Sequence, residues 1–426
     1  SCPDFFQWIH HDLAPWRASG GISRAALEEA REFAAFRVAI IGGQLYAELY
    51  YQCVQSRAMF TLWGLLLLLE RFPAGAVPDV EFMFNCMDRP HFRRSRYKSR
   101  APPPLLAYCG SRDTVDIAFP DWSFWGWAEV RIGAWGEEAS SIFHGSEETR
   151  WENRRPRAHW KGNPHVGAQV RTDLLACNKT DKRDFGADIY VQNWIAESQQ
   201  GFKNSKLSDQ CRHRYKLYAE GHAWSVSFKY IMACGSTTLI VQPDYHDFFM
   251  RGLLPLHHYW PIDRQDMCSS IDHAVKWGNS HPKEAEAIGS HAQEFLRKDL
   301  SMDRVYEYML HLLREYAKLQ RFKPRVPEGA QLLCKSAVTC IAEAEQLEFL
   351  KRTETSNSQT SPCSMPPAND DYIRRFKAQE SENFRAAREL RRSSVERLVV
   401  GNKNKLTASS VNGEKKKKIG KKSHRS

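Results

Sequence analysis

Residues 80–88 have the sequence VEFMFNCMD, an apolar run that stops at an acidic turn. The part Val80–Cys86 predicts a buried β-strand. A helix is predicted before it over Ser56–Arg71, and a further strand is predicted after it over Leu105–Cys109. Strands that alternate with helices in this way indicate an α/β layered domain.

Asp88 lies where the predicted strand ends. In open α/β sheets ligands bind at the carboxyl ends of the strands, so a carboxylate in this position can act as a general base. The alternative is structural, because aspartate also commonly ends a turn. Arg89 follows directly and would place a cation beside that carboxylate.

Further elements follow on both sides of this segment. Phe36–Ile41, Gly42-Gly43 and Leu45–Tyr50 predict a β-hairpin. After a charged, irregular stretch at 145–160, a second alternation predicts strands over Ala187–Tyr190 and Thr238–Gln242 and helices over Ser225–Cys234, Lys283–Leu296 and Met302–Leu319, the last with Ser301 as N-cap.

We therefore expect an α/β protein with two units facing a cleft. The first unit is predicted over residues 1–150 and the second, with its closing helices, over 151–345. Residues 346–426 are polar, carry Ser-Pro and Pro-Pro steps and end in a lysine-rich run, so they predict a linker and a basic disordered tail.

The charge of the chain is concentrated at one end. The 426 residues carry 61 Lys and Arg against 50 Asp and Glu, a formal net charge of +11. Residues 371–426 hold 17 of the basic and 6 of the acidic side chains, so the rest of the chain is balanced. This balance argues against a nucleic-acid-binding body, and a nucleic-acid arm is an alternative for the tail alone.

Cysteine usage bears on the compartment. The eleven cysteines include no C-x-x-C pair, which disfavours zinc-ribbon and thioredoxin-like sites, and their number permits disulfides in an oxidising lumen. Asn178 begins an N-glycosylation sequon. The chain starts at Ser1 rather than Met, as expected for a mature form or for a fragment whose targeting segment lies upstream. The longest apolar run, Met59–Leu69, is too short to cross a bilayer.

The dinucleotide, P-loop and α/β-hydrolase fingerprints are absent, and so is any D-x-D pair. A bound diphosphate would therefore have to be neutralised by Lys, Arg and backbone N–H groups. Residues 160–163, with Arg171, offer such groups, although an ordinary surface turn is the alternative. Residues 215–229 place small polar groups before a predicted helix. The aromatic stretch 122–127 predicts either core packing or a sugar platform.

Taken together and in order, these segments resemble the Rumi-type protein O-glucosyltransferase family, glycosyltransferase family 90, especially its plant members with their CAP-type domain. The resemblance covers Cys2 to Cys340. It rests on the opening Cys-Pro-Asp-Phe-Phe, the turn at Asp88, Phe124-Trp125-Gly126, Trp160-Lys161-Gly162-Asn163, Tyr215 through Lys229 and His258-Tyr259-Trp260-Pro261-Ile262.

The resemblance implies a GT-B fold of two Rossmann-like domains and an inverting transfer of glucose or xylose from a UDP-sugar. It implies no metal and no other cofactor, which agrees with the missing D-x-D. Asp88 matches the catalytic base, which would take the proton from a hydroxyl group of a protein Ser or of a glycan.

Site residues follow from the same resemblance. The donor-binding positions are Asn163, Arg171, His222, Ala223, Trp224, Ser225, Val226 and Ser227. Ser227 departs from the animal members, which have an Arg there, and Lys161 or Lys229 is our hypothesis for a substitute cation. Phe124, Trp125 and Gly126 are expected to face the acceptor.

The expected partners are UDP-glucose or UDP-xylose and a secreted protein or glycan, without nucleic acid. We expect a monomer in the lumen of the endoplasmic reticulum or Golgi that would touch a membrane only through an upstream anchor. The alternative is a non-catalytic lumenal relative that binds UDP-sugar or glycoprotein without turnover, and Ser227 is the residue that favours it.

Overall fold

A computed structural model describes residues 1–167, 169–203, 206–353 and 361–393. The lysine-rich run of the predicted tail, 415–422, lies outside these ranges, so its disorder stays a prediction. Within the described residues, no helix combines the length and the apolar character that crossing a bilayer requires.

The strands form two large sheets and one small one. In chain order they are β1 Phe36–Ile41, β2 Gln44–Leu49, β3 Val80–Asn85, β4 Leu105–Ala107, β5 Gly110–Ser111, β6 Ile117–Ala118, β7 Arg155–Gly162, β8 Ala187–Val191, β9 His213–Tyr218, β10 Thr237–Val241, β11 Tyr245–His246, β12 Trp260–Ile262 and β13 Gln331–Leu333. The first sheet has the order β13-β2-β1-β3-β4-β6, the second the order β12-β10-β9-β7-β8, and β5 pairs with β11.

Helices lie between and after the strands. They are α1 Gln7–Asp12, α2 Ala14–Ala18, α3 Arg24–Glu29, α4 Arg57–Arg71, α5 Trp135–Glu147, α6 Gln169–Leu174, α7 Trp194–Gln199, α8 Ser227–Ala233, α9 Met267–Ser280, α10 Pro282–Asp299, α11 Met302–Leu319, α12 Lys335–Ile341 and α13 Ala344–Arg352. Residues 370–393 are also helical.

The mixed α/β class is confirmed. All neighbouring strands of the second sheet are parallel. The first sheet is mixed, because β1 runs antiparallel to β2 and β3 whereas β3, β4 and β6 are parallel. The predicted hairpin is confirmed as β1 and β2, which meet at Gly42-Gly43, where both glycines have positive φ.

The predicted helix Met302–Leu319 is confirmed as α11, with the Ser301 hydroxyl accepting a hydrogen bond from the backbone N–H of Arg304. Its position corrects the predicted second unit, 151–345. Tyr308, buried on α11, donates to the backbone O of Ala118 at 3.3 Å, and β13 pairs with β2. The apolar face of α11 is therefore buried against the first sheet, although α11 follows the second sheet in the chain. The domain boundary near residue 150 stays a prediction.

Four disulfides join Cys2 to Cys363, Cys53 to Cys86, Cys177 to Cys268 and Cys211 to Cys234. The first of them corrects the expectation of a linker and disordered tail from residue 346. It ties residues 361–393 to the N-terminus, where Phe376 packs on Trp8 with ring centroids 5.8 Å apart. Ile373 and Ala387 of the helix 370–393 are also buried. The prediction rested on the polar composition of the tail as a whole, and this average concealed the helical spacing of its few apolar residues.

Candidate active site

Asp88 lies in the loop after β3, with its side chain 31% exposed. Its Oδ1 accepts a hydrogen bond from Nη1 of Arg57 at 2.7 Å. Arg57 begins α4 and is held over the ring of Trp122, with its guanidinium carbon 4.2 Å from the ring centroid. The Cys53–Cys86 disulfide brings the two chain segments together. The sequence did not point to Arg57, because no local pattern relates residue 57 to residue 88.

Arg89 does not serve as the cation on Asp88. Its Nε donates instead to the backbone O of His222 at 3.1 Å. This bond joins the loop after β3 to the loop after β9. The structure therefore brings the predicted base and the predicted donor segment, 222–227, to the same side of the molecule.

Arg171 of α6 is a half-buried cation that faces this donor segment. Its Nη2 donates to Oγ of Ser225 at 3.1 Å, and its Nη1 donates to the backbone O of Asn163 at 3.3 Å. Among the described residues no carboxylate lies within 4 Å of this guanidinium, and its Nε is buried without a hydrogen-bond partner. Burial lowers the pKa of Arg171 from its usual value. A desolvated cation that lacks a counter-ion favours an anionic ligand.

The serine hydroxyl groups of the donor segment form a hydrogen-bonded series that begins at Arg171. Oγ of Ser225 lies 2.8 Å from Oγ of Ser227, and the backbone N–H of Ser225 donates to the hydroxyl of Tyr218 at 3.0 Å. Ser227, where the resemblance leads us to expect Arg in animal members, thus joins a chain of hydroxyl groups that leads to a cation. Tyr218 was missed because its hydroxyl is buried at a strand end.

The other predicted donor residues divide by exposure. His222 is exposed and Val226 is half-buried, whereas Ala223 and Trp224 are buried. The Trp224 ring packs against Tyr108, with centroids 5.8 Å apart. Trp224 therefore shapes the wall behind the segment rather than its surface.

Close packing of two loops fixes the position of Arg171. Gly167 has φ +90°, and a Cβ there would lie 2.0 Å from the carbonyl carbon of Gly221. A Cβ on Gly221 would in turn lie 3.2 Å from Nη2 of Arg171. Only glycine allows this approach at residue 167, so the loops after β7 and β9 act as one surface.

The two candidate substitute cations lie elsewhere. Nζ of Lys161 is 3.6 Å from a carboxylate oxygen of Glu197. Lys229 is wrong as a diphosphate cation, because only 2% of its side chain is exposed and its Nζ donates to Oγ of Ser123 at 2.6 Å. The carboxylate of Asp121 lies 3.6 Å away and balances that charge. The inner face of α8 carries Lys229 into the core, away from the groups around Arg171.

Glu220 is a further residue that the sequence did not single out. Its carboxylate accepts hydrogen bonds from the backbone N–H groups of Asp244 and Tyr245, at 3.0 and 2.7 Å. Burial raises its pKa to about 7. Glu220 thereby fixes the loop after β10 against the loop after β9.

The predicted acceptor-facing residues are core residues. Phe124 and Trp125 are fully buried, and Trp125 donates from Nε1 to the hydroxyl of Tyr306 at 3.1 Å. At Gly126, where φ is +139°, a Cβ would lie 3.0 Å from the Phe60 ring. These residues cannot touch an acceptor while the protein is folded. Their aromatic character alone did not distinguish packing from recognition.

We expect Trp125→Ala to lower the free energy of unfolding by about 3–5 kcal/mol, because it leaves a large cavity against α4. Trp125→Phe should lower it less. Urea unfolding followed by circular dichroism measures both, and the KM for acceptor should not change in the folded fraction. If Trp125→Ala kept the stability of the wild type and raised the KM for acceptor, the prediction that Trp125 faces the acceptor would be correct after all.

Asn178, the predicted glycosylation site, is half-buried at the start of the loop before β8. Its Nδ2, the atom to which a glycan would be attached, donates to the backbone O of Ile189 at 3.0 Å. Its Oδ1 accepts from the backbone N–H of the same residue at 3.2 Å. The side chain thus ties the loop to a strand, and its glycosylation stays a prediction.

Comparisons with known proteins identify the family of the chain. The family model of glycosyl transferase family 90 matches residues 1–391. The chain is 27% identical over 327 residues to an O-glucosyltransferase rumi homolog of Aedes aegypti, covering 73% of this chain and 77% of that protein. It is 26% identical to human protein O-glucosyltransferase 3, over 78% of this chain and 65% of the relative. It is 25% identical to human protein O-glucosyltransferase 1, over 75% and 81%. The chain therefore belongs to glycosyl transferase family 90.

Proposed function

We propose that this glycosyltransferase moves glucose or xylose from a UDP-sugar to a hydroxyl group of a protein Ser or of a glycan, with inversion and without a metal. The observation that carries the proposal is that a partly exposed carboxylate, Asp88, and a half-buried cation, Arg171 of α6, flank the loop after β9: Arg89, next to Asp88, donates to the backbone O of His222, and Arg171 donates to Ser225. A GT-B arrangement of two Rossmann-like domains belongs to the same proposal.

Asp88 acts as the general base. Arg57 holds Oδ1, while Oδ2 accepts no hydrogen bond from the described residues. That second oxygen takes the proton of the acceptor hydroxyl as the hydroxyl oxygen forms its bond to C1 of the sugar. The bond between C1 and the diphosphate oxygen breaks on the opposite face, so the anomeric configuration inverts.

Arg171 and the serine hydroxyls receive the leaving group. The diphosphate gains negative charge as the bond to C1 breaks, and a preorganised cation in a desolvated site stabilises that charge. Arg171 supplies the cation, and Ser225 and Ser227 supply hydroxyl donors beside it. The described residues around Asp88 and Arg171 offer hydrogen-bond donors rather than a carboxylate pair, which supports transfer without a metal.

Four disulfides support an oxidising compartment, and we propose the lumen of the endoplasmic reticulum or Golgi. Two of the relatives are named as protein O-glucosyltransferases, which supports a secreted protein as the acceptor. We propose that the enzyme acts as a monomer and without nucleic acid, as expected from the balanced charge of the body.

A donor screen tests the proposal. The full chain is incubated with UDP-glucose or UDP-xylose and an array of peptides and glycans, and products are detected by mass spectrometry. We expect transfer from at least one donor, with unchanged rate when EDTA is added. Loss of all activity in EDTA, with recovery on adding Mn²⁺, would contradict the metal-free mechanism.

The non-catalytic alternative rests on Ser227, because the family's arginine would have supplied a second diphosphate cation. It predicts UDP binding by calorimetry without product from either donor. Transfer to any member of the array excludes it.

A further inference from the structure

The segment after Asp88 is strongly basic. Residues 89–100 contain six Lys and Arg side chains and no Asp or Glu. In the structure four of these six cations border an open groove of about 810 Å³. Its charged lining consists of Arg89, Arg93, Arg94, Lys98 and Arg112, with the single acidic side chain of Asp113. A locally positive surface thus forms on a body whose charges balance only in total.

These charges lack counter-ions. Arg93, Lys98 and Arg112 form no ion pair within 4 Å with any residue in the described ranges. Arg94 uses one guanidinium nitrogen on the backbone O of Thr114, at 2.9 Å. By contrast, Arg100, outside the groove, is paired with Glu29 at 2.7 Å. Clustered cations without counter-ions create a positive potential that attracts an anionic partner.

The groove also opens beside the proposed base. Arg89 directly follows Asp88 and reaches the other loop of the site through His222. Tyr245, whose strand β11 pairs with β5, also lines the groove. An acceptor that presents a hydroxyl to Asp88 would therefore continue into this groove.

We propose that the groove binds an acidic segment of the acceptor protein, in which Asp or Glu side chains lie near the modified residue. The inference rests on the proposed function, because it takes the acceptor to be a protein. Four of the five cations are arginines, whose planar forks pair with carboxylates through two parallel hydrogen bonds. This groove would select acidic acceptors among chemically equivalent hydroxyl groups.

Direct binding tests the proposal without turnover. The probe is a fluorescein-labelled peptide of alternating Glu and Ser, compared with its Gln–Ser counterpart, by fluorescence anisotropy on the full chain. We expect the Glu peptide to bind about tenfold more tightly at low salt, with the difference shrinking as NaCl screens the charges. The double variant Arg93→Gln/Lys98→Gln should weaken Glu-peptide binding about fivefold.

The matched control is Lys283→Gln/Lys298→Gln, which removes two exposed cations from α10 and should change binding less than twofold. UDP affinity should be the same in both variants, which shows that both are folded. Equal binding of the two peptides, or equal loss in the control, would overturn the proposal. So would binding of a sulfated oligosaccharide that the Glu peptide fails to displace. Because no product is measured, these outcomes are independent of the donor screen.

Discussion

Asp88→Asn is expected to reduce sugar transfer by roughly 10²–10⁴-fold, the usual contribution of a positioned general base. Asparagine has the same shape and can still accept the hydrogen bond of Arg57 through its carbonyl oxygen. It cannot take up the acceptor proton. The expected loss is therefore confined to kcat, and UDP affinity measured by calorimetry should stay within about twofold of the wild type.

Asp209→Asn provides a control, because Asp209 is an exposed acid whose one ion pair within the described ranges is with Arg212, at 3.7 Å. It should leave both transfer and UDP affinity unchanged. Thermal unfolding of Asp88→Asn should match that of the wild type. Turnover at the wild-type rate in the Asp88→Asn variant would remove Asp88 from the role of base.

Arg171→Met is expected to weaken UDP binding roughly 10- to 100-fold, the value of one or two hydrogen bonds to a charged group. The same change removes a half-buried cation that has no counter-ion within 4 Å among the described residues. Its desolvation cost disappears with it, so the free energy of unfolding of the ligand-free protein should fall little. Calorimetry with UDP and urea unfolding without it measure the two effects separately.

Arg154→Met is the matched control. Arg154 is a buried arginine whose donors are satisfied by the backbone O atoms of Cys234 and Ser146, at 2.9 and 2.7 Å. Replacing it leaves these acceptors without partners, so stability should fall while UDP affinity is kept. An Arg171→Met variant that loses stability like Arg154→Met, yet binds UDP normally, would mean that Arg171 is structural.

Local sequence signals predicted the regular elements well. The hairpin β1–β2, the strand β3 and the helix α11 were predicted close to their observed bounds, because alternation and helical spacing are properties of neighbouring residues. The order of short segments also identified the family. The resemblance pointed to Asp88 and Arg171, and the structure places Asp88 in the loop after β3 and Arg171 of α6 beside Ser225 of the donor segment.

Long-range partners were beyond the reach of the sequence. Lys229 and Arg171 looked like equivalent cations, yet one is balanced by Asp121 in the core and the other has no carboxylate beside it among the described residues. The sequence predicted that Arg89 would be the cation beside Asp88, but Arg57 donates the hydrogen bond to that carboxylate instead. Which charge is paired depends on distances between residues far apart in the chain.

The sequence by itself determined the α/β class, the family and the location of the net charge outside the body. Only the tertiary structure decided that Phe124 and Trp125 are core and that residues 370–393 form a docked helix. It alone also showed that four of the cations of 89–100 border a groove. The physical reason is that composition and spacing fix which local conformations are favourable. Burial and charge pairing, by contrast, arise only when distant segments pack, and both decide what a side chain can bind.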